Sequence, residues 1–229
     1  MARYEIAGLQ VEMESQGRTK TQAAAYAAPA IGEPDVIINC DTAAVMEHNP
    51  EIHTEELAEY LGTGARFAFK LLDHNGLMLH SSAVVLEGKA YLFTAPSGTG
   101  KSTHTEKWVR LFGATYLNDD KPALRLVEDR WMAYGTPWSG KHDLSDPRGV
   151  PLGGIAVVRR AEENAIRPMP AEEALPYIMS QTSYLLNARR MEIMLTLMDA
   201  LLRKVPVWEI LCRNEDAAAY VSHDAMTKP

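Results

Sequence analysis

Only two residues of 229 are cysteine, Cys40 and Cys212, and each stands among apolar neighbours (Ile-Ile-Asn-Cys40 and Ile-Leu-Cys212). That scarcity leaves no basis for a disulfide framework or a cysteine-built metal cluster, and two buried free thiols are expected. Long apolar runs are missing as well. No stretch approaches the roughly 18 apolar residues that a membrane-spanning helix requires. The amino terminus carries no basic patch followed by an apolar segment, so a soluble, cytoplasmic protein is expected. Positive charge is in deficit, with 23 Lys and Arg against 30 Asp and Glu and a formal net charge of −7. This balance argues against a nucleic-acid partner and against an anionic membrane surface. The chain has no internal repeat and no low-complexity tract.

What is present is a chain with 46% hydrophobic residues, enough to bury a proper core. It is read as one catalytic domain over residues 1–229. Residues 1–75 contribute strands and a helix of uncertain placement, 77–160 form the core, and 161–229 are expected to be a helical part. At the centre stands Ala95-Pro-Ser-Gly-Thr-Gly-Lys-Ser-Thr103, between a strand-like segment (90–94) and a segment able to form a helix (102–112). Strand, glycine loop and helix in that order are what a phosphate-binding P-loop requires. Backbone N–H groups at Ser97, Gly98, Thr99, Gly100 and Thr103 would cradle the phosphates of a nucleotide, ATP in the first instance. Lys101 would reach the β- and γ-oxygens, and the Ser102 hydroxyl would ligate Mg²⁺.

Around this loop the hydrophobic pattern predicts one or two edge strands in 3–13, a loop over 15–34, a strand at 35–39 and a helix over 54–72. Strands are expected at 77–86 and 89–94, then at 114–117, and as a hairpin at 123–127 and 131–134. Residues 135–154 read as a Gly/Pro-rich loop before a strand at 155–159. A helix over 171–181, a Met-rich helix with Met191, Met194, Leu195, Met198, Leu201 and Leu202 on one core-facing side, a strand at 205–211 and a last helix follow. The mixture of hairpins and helices predicts an α/β fold with a mixed sheet, unlike the regular alternation of an all-parallel domain.

Phosphoryl transfer needs a carboxylate near the metal and a group that orients or deprotonates the nucleophile. Asp119 and Asp120, at the end of a short strand after the glycine-loop helix, supply both. Adjacent residues on a strand point to opposite sides, so a kink is required for both to face the nucleotide. Leu79-His80-Ser81-Ser82-Ala83-Val84-Val85, the loop 95–103 and Asp119-Asp120 together resemble the HPr serine kinase/phosphorylase family, in order and near its spacing. That family shares its P-loop fold with the phosphoenolpyruvate carboxykinases. The resemblance covers roughly residues 77–160. It implies an ATP- and Mg²⁺-dependent kinase in which His80 faces the phosphates, Asp119 is the base toward an acceptor hydroxyl, and Asp120 is the metal-side carboxylate. It further implies a protein serine or a small molecule as acceptor, and a possible homo-oligomer.

The chain also departs from that family. Residues 1–75 do not match its regulatory domain, and no Glu-Ile-Arg-Gly-type signature follows the catalytic loop. Gly135-Thr-Pro-Trp-Ser-Gly-Lys141 stands there instead, so phosphorylation of the HPr carrier is not implied. Lys141 is expected to contact the transferred phosphoryl group or the acceptor, Trp138 to stack on a base or line the acceptor pocket, and Arg148 to stabilise transition-state charge. His104, His48 and His53 are expected on the surface. With no Asn-Lys-x-Asp motif, a guanine-specific switch is not expected. The alternative reading is a catalytically silent nucleotide-binding switch or assembly module.

Overall fold

The computed structural model describes residues 1–182 and 187–228. The chain opens with an antiparallel hairpin, β1 (Ala2–Ile6) and β2 (Leu9–Met13). Its two turn residues, Ala7 and Gly8, both have positive φ (55° and 69°), as a tight two-residue hairpin demands. The segment expected to be a loop contains α1 (Gly17–Ala23) and a 3₁₀ turn ending at Tyr26. β3 (Val36–Ile38) then adds to β2 in parallel and completes a three-stranded sheet. A short helix that the pattern did not announce, α2 (Thr42–His48), starts where the Asp41 carboxylate accepts from Ala44 N at 3.0 Å. It is too short for hydrophobic periodicity, and its cap was the available signal.

Helix α3 (Glu55–Leu71) is capped by Thr54, whose hydroxyl accepts from Leu57 N, and carries Glu55 and Glu56 in its first turn. Its buried face differs from the apolar stripe of the sequence. Gly62 and Gly64 are buried while Leu57 is exposed. A Cβ on Gly62 would meet Cys40 Sγ at 2.5 Å, and one on Gly64 would meet the Trp138 ring at 2.9 Å. The glycines therefore cost helix propensity and permit a close approach that no larger residue allows.

The remaining elements are β4 (Gly76–Met78), β5 (Ser81–Leu86), β6 (Lys89–Thr94), α4 (Lys101–Phe112), β7 (Thr115–Asn118), β8 (Ala123–Val127) and β9 (Arg130–Tyr134). They are followed by β10 (Gly149–Arg160), β11 (Ala165–Pro168), α5 (Ala171–Ser180), α6 (Ala188–Lys204), β12 (Val207–Cys212) and α7 (Asp216–Thr227). The large sheet runs β4-β8-β9-β10-β6-β5-β7, with β12 paired to β10 and β11. Only the β10–β6 and β10–β12 pairings in it are parallel. The fold is thus mixed α/β with a mixed sheet.

Three sequence expectations change here. The strand expected over 77–86 is two, β4 and β5, broken at Leu79-His80. Strand β10 begins at Gly149, inside the expected loop, because its first residues pair with β9. In the segment 161–229 the strand expected at 205–211 is β12, and an unannounced strand, β11, pairs with it and extends the sheet further.

The central strands are covered on both faces, which explains their near-continuous apolar sequence. Ala83, Leu92, Ile155 and Val157 face α5 and α6, whereas Val84, Phe93, Ala156 and Val158 face α4 and α7. Helix α6 buries Met194, Leu197, Met198 and Leu201 and leaves Leu195 exposed, so Met194 and Met198 are core packing while Met191 is only partly buried. No helix among the described residues is long and apolar enough to cross a membrane.

Trp138 is fully buried, stacked on Phe67 with ring centroids 5.1 Å apart, and donates its indole N–H to Thr63 Oγ1 at 3.1 Å. It is a core anchor between α3 and the 135–141 loop and not a platform for a base or a wall of an acceptor pocket. Trp138→Ala is expected to lower the unfolding free energy by about 3–5 kcal/mol, from lost burial and the cavity left behind. Urea denaturation of both proteins measures it.

Candidate functional site

The glycine loop leaves β6 at Thr94 and enters α4 at Lys101. Gly98 (φ 76°) and Gly100 (φ 116°) adopt the backbone region that glycine alone enters freely. A Cβ at either position would meet nothing within 4 Å, so conformation and not space requires glycine there. Gly100 is the residue immediately before α4, and its carbonyl accepts from His104 N at 3.0 Å. Ser97 and Gly98 are exposed, Thr99 and Gly100 partly so, and Ser102 and Thr103 present exposed side chains on the first turn. Lys101 folds back over the loop. Its ammonium donates to the Ala95 carbonyl at 2.9 Å and reaches the Pro96 carbonyl at 3.5 Å.

The two aspartates stand opposite the place where β4 breaks into β5. Leu79 N donates to Pro122 O (3.2 Å) and Ser81 N to Asp120 O (3.0 Å). Residues 79–81 therefore continue the antiparallel pairing against 120–122, across the gap between β7 and β8. The gap is shaped by Asn118, whose Oδ1 accepts from both Asp120 N (3.0 Å) and Lys121 N (2.7 Å). This side-chain turn bends the strand end and turns two consecutive carboxylates toward one site. Asp119 Oδ1 accepts from Ser82 Oγ at 2.5 Å, and Ser82 lies 2.7 Å from Thr105 Oγ1 on α4. Asp120 Oδ1 faces His80 Nε2 at 3.5 Å.

His80 is held from its other side by Gln181, at the end of α5. The Gln181 carbonyl accepts from His80 N (2.8 Å), and Gln181 Oε1 lies 3.1 Å from His80 Nδ1. Gln181 Nε2 donates to Ser180 O, which leaves Oε1 for the ring and assigns the proton to Nδ1. Burial holds His80 below the usual histidine range, the Lys101 ammonium adds to this, and Asp120 opposes it. The bare Nε2 of this neutral ring and the Asp120 oxygen thus turn lone pairs toward each other, an arrangement suited to a donor or a cation between them. Burial also holds Lys101 below the usual lysine value, against the opposing pull of Asp120 and Asp119. Lys101, His80, Asp119 and Asp120 therefore form one electrostatic cluster.

The loop 138–141 closes over the aspartates. A Cβ on Gly140 would lie 3.2 Å from Asp120 Cβ. Gly140 N donates to Tyr60 OH at 3.0 Å, and Gly140 O accepts from Gln22 Nε2 at 3.0 Å and from Arg18. The Arg18 guanidinium also lies over the Tyr60 ring, 3.9 Å from its centre. The amino-terminal segment thus braces the loop beside the carboxylates.

Two cavities border the cluster. One, of about 420 Å³, extends from the glycine loop past Thr103 and Lys107 to Arg160, Cys212 and Asn214. The other, of about 390 Å³, is walled by Met78, His80, Asp120, Lys121 and residues 180–182.

Lys101, Ser102, His80, Asp119 and Asp120, all singled out from sequence, come together here. Lys141 follows Gly140 and is exposed. Arg148 does not join them. It pairs with Asp146 (3.0 Å) and donates to Thr115 (2.7 Å), at the opposite end of β7 from Asp119. The arginine on the loop is Arg160, at the end of β10, which donates to the carbonyls of Gly98 (2.5 Å) and Thr99 (3.2 Å). Sequence reasoning passed over Ser82, Thr105, Lys121 and Gln181. Ser82 stands two residues after His80 in the family-like segment, whereas nothing local marks Gln181. His48 and His53 are exposed as expected, and both cysteines are half-buried free thiols.

No family model matches this chain, and no curated protein matches it. Among solved structures it is similar to the HPr(Ser) kinase/phosphatase from Coxiella burnetii, at 10% sequence identity and a TM-score of 0.39. The match covers 65% of this chain and 95% of that one. It is a distant likeness of fold and nothing finer.

His104, expected on the surface, is buried behind the glycine loop against the Phe93 ring. Ser222 Oγ donates to Ala219 O and receives Trp108 Nε1–H at 2.9 Å, so His104 Nε2, 2.8 Å away, donates to it as well. Burial, with Lys107 adding, pushes His104 down to about 4. The unfolded chain takes up a proton near pH 6.5 and the folded one resists until near 4. The stability that the neutral ring contributes is thus complete above pH 6.5 and lost on acidification toward pH 4, by about 3 kcal/mol. His104→Gln is expected to flatten this slope in urea denaturation between pH 7 and 4.5.

Proposed function

We propose that this protein is a Mg²⁺-dependent phosphotransferase that moves the γ-phosphoryl group of ATP to a hydroxyl. The observation that carries the reading is the convergence of Lys101, His80, Asp119 and Asp120 from separate segments onto one cluster at the glycine loop. In this reading the backbone N–H groups of 97–103 and the amino end of α4 take the β- and γ-phosphates. Lys101 exchanges its carbonyl partners for phosphate oxygens. The base and ribose enter the 420 Å³ cavity between α4 and the β12–α7 turn.

Mg²⁺ keeps most of its water and needs only one or two protein ligands besides phosphate. The exposed Ser102 hydroxyl and the Asp120 carboxylate fit that requirement. When bound, the ion would offset the charge that develops on the β- and γ-oxygens.

The acceptor hydroxyl oxygen attacks the γ-phosphorus as the bond to the ADP oxygen breaks, and ADP leaves with the bonding pair. The acceptor proton passes to Asp119. Ser82 occupies Oδ1 of that carboxylate, which leaves Oδ2 for the proton. In a loose transition state the hydroxyl loses its proton late, so an ordinary carboxylate suffices as base. Neutral His80 contributes a ring nitrogen beside Asp120 without adding positive charge. Lys141, exposed next to Gly140, meets the transferred group from the solvent side.

Calorimetric titration with ATP, ADP, GTP and pyrophosphate, with and without Mg²⁺, tests the phosphate site. Lys101→Ala is expected to weaken Mg²⁺-dependent binding about tenfold or more. Asp119→Asn is expected to retain nucleotide and lose phosphotransfer by about 10²–10⁴-fold. Intact turnover in Asp119→Asn would remove Asp119 as the base, and no nucleotide binding by the wild type would refute the kinase.

A further inference from the structure

The 390 Å³ cavity beyond His80 and Asp120 contains one cation that the phosphotransfer scheme does not use, Lys121. Its backbone is fixed from both sides. Asn118 Oδ1 accepts from Lys121 N at 2.7 Å, and Thr136 Oγ1 donates to Lys121 O at 2.7 Å. Pro122, the next residue, accepts from Leu79 N through its carbonyl. The side chain itself is half-buried. Among the described residues it takes part in no ion pair. Lys101, Lys107 and Lys204, by contrast, each hold a carbonyl, amide or carboxylate oxygen. Lys121 lines the cavity beside His80 and Asp120.

The other polar groups of this wall have already spent their protons. Ser180 Oγ donates to Tyr177 O, Thr182 Oγ1 to Met179 O, and Gln181 Nε2 to Ser180 O. The Ser180 and Thr182 hydroxyls stand on this wall as acceptors, beside the Asp120 carboxylate. Among the described residues the cavity therefore offers several acceptors and one cation that joins no ion pair, Lys121. A ligand that satisfies both carries hydroxyl groups together with an anionic group.

We propose that this cavity is the acceptor site, and that the acceptor is a small hydroxyl compound bearing a carboxylate or phosphate that Lys121 binds. The assignment rests on the phosphotransfer reading, because that reading puts the reactive hydroxyl beside Asp119. The shared chemistry of the two anions is a negative oxygen group within a short skeleton of a free hydroxyl. Lys121 is fixed on the same turn as the aspartates. Asp119 stands one residue beyond the cavity wall, so Lys121 would hold one end of the acceptor while its hydroxyl reaches past Asp120 to the base, the arrangement through which binding lowers an entropic barrier.

Three probes with one carbon skeleton test it: glycerol, D-glycerate and glycerol 3-phosphate. Each is titrated by calorimetry into the full chain saturated with MgADP, so that the glycine loop is already filled. Binding of D-glycerate, of glycerol 3-phosphate or of both, with glycerol at least tenfold weaker, is the expected result, and the anion preferred names the class. Lys121→Ala is expected to weaken the bound anion about tenfold or more while MgADP still binds, which also shows that the variant is folded. Should Lys121→Ala fail to fold, Lys121→Gln serves in its place. Equal binding of glycerol, no binding of either anion, or anion binding that survives the substitution overturns the proposal. Loss of MgADP binding by the wild type would instead refute the phosphotransfer reading on its own terms.

Discussion

The site depends on a single backbone constraint, the Asn118 side chain holding the amides of Asp120 and Lys121. On a regular strand, consecutive residues point to opposite faces, and only one of the two aspartates would meet a nucleotide. The Asn118 turn breaks that alternation, and Asn118 is itself secured because its Nδ2 donates to Thr136 O at 2.9 Å in the buried interior. The opposing chain breaks at the same level, between β4 and β5, and leaves His80 facing the bend. Two irregular segments paired through Leu79, Ser81, Asp120 and Pro122 thus create the concentration of charge that a regular sheet would have dispersed.

Packing then determines how rigidly that cluster is held. Helix α4 sits on the sheet through Trp108 and His104, both tied to Ser222 of α7, and its Thr105 hydroxyl joins the Ser82–Asp119 chain. Position of the glycine loop and position of Asp119 are therefore coupled through one turn of helix. From the other side, Gly64 and Trp138 let α3 approach closely enough for Tyr60 to reach the Gly140 amide. A buried aromatic anchor and two helix glycines, costly or neutral by local propensity, thereby set a loop next to the paired carboxylates. Residues remote from the chemistry act through this geometry, and their own polarity is secondary.

The amino-terminal sheet and α1, which have no counterpart among the motifs, serve the same end. Arg18 and Gln22 converge on the Gly140 carbonyl. Two donors on one carbonyl fix its orientation in a partly buried loop.

The sequence by itself determined the strand–loop–helix around Lys101, the hairpins, the apolar central strands and the five residues of the cluster, because these follow from short-range pattern: glycines where φ is positive, alternation on strands, paired carboxylates after a helix. Helix α2 and the 149–154 part of β10 were not legible, since a short cap or a pairing partner far along the chain creates them. Trp138, His104 and Arg148 were misjudged for a related reason. An indole between a proline and a serine, a histidine on a first helical turn and an arginine in a loop look the same in sequence whether they face solvent, core or ligand. Only the tertiary structure decided those orientations, together with the placement of Gln181, Arg160 and Lys121, because their neighbours arrive from elements distant in sequence.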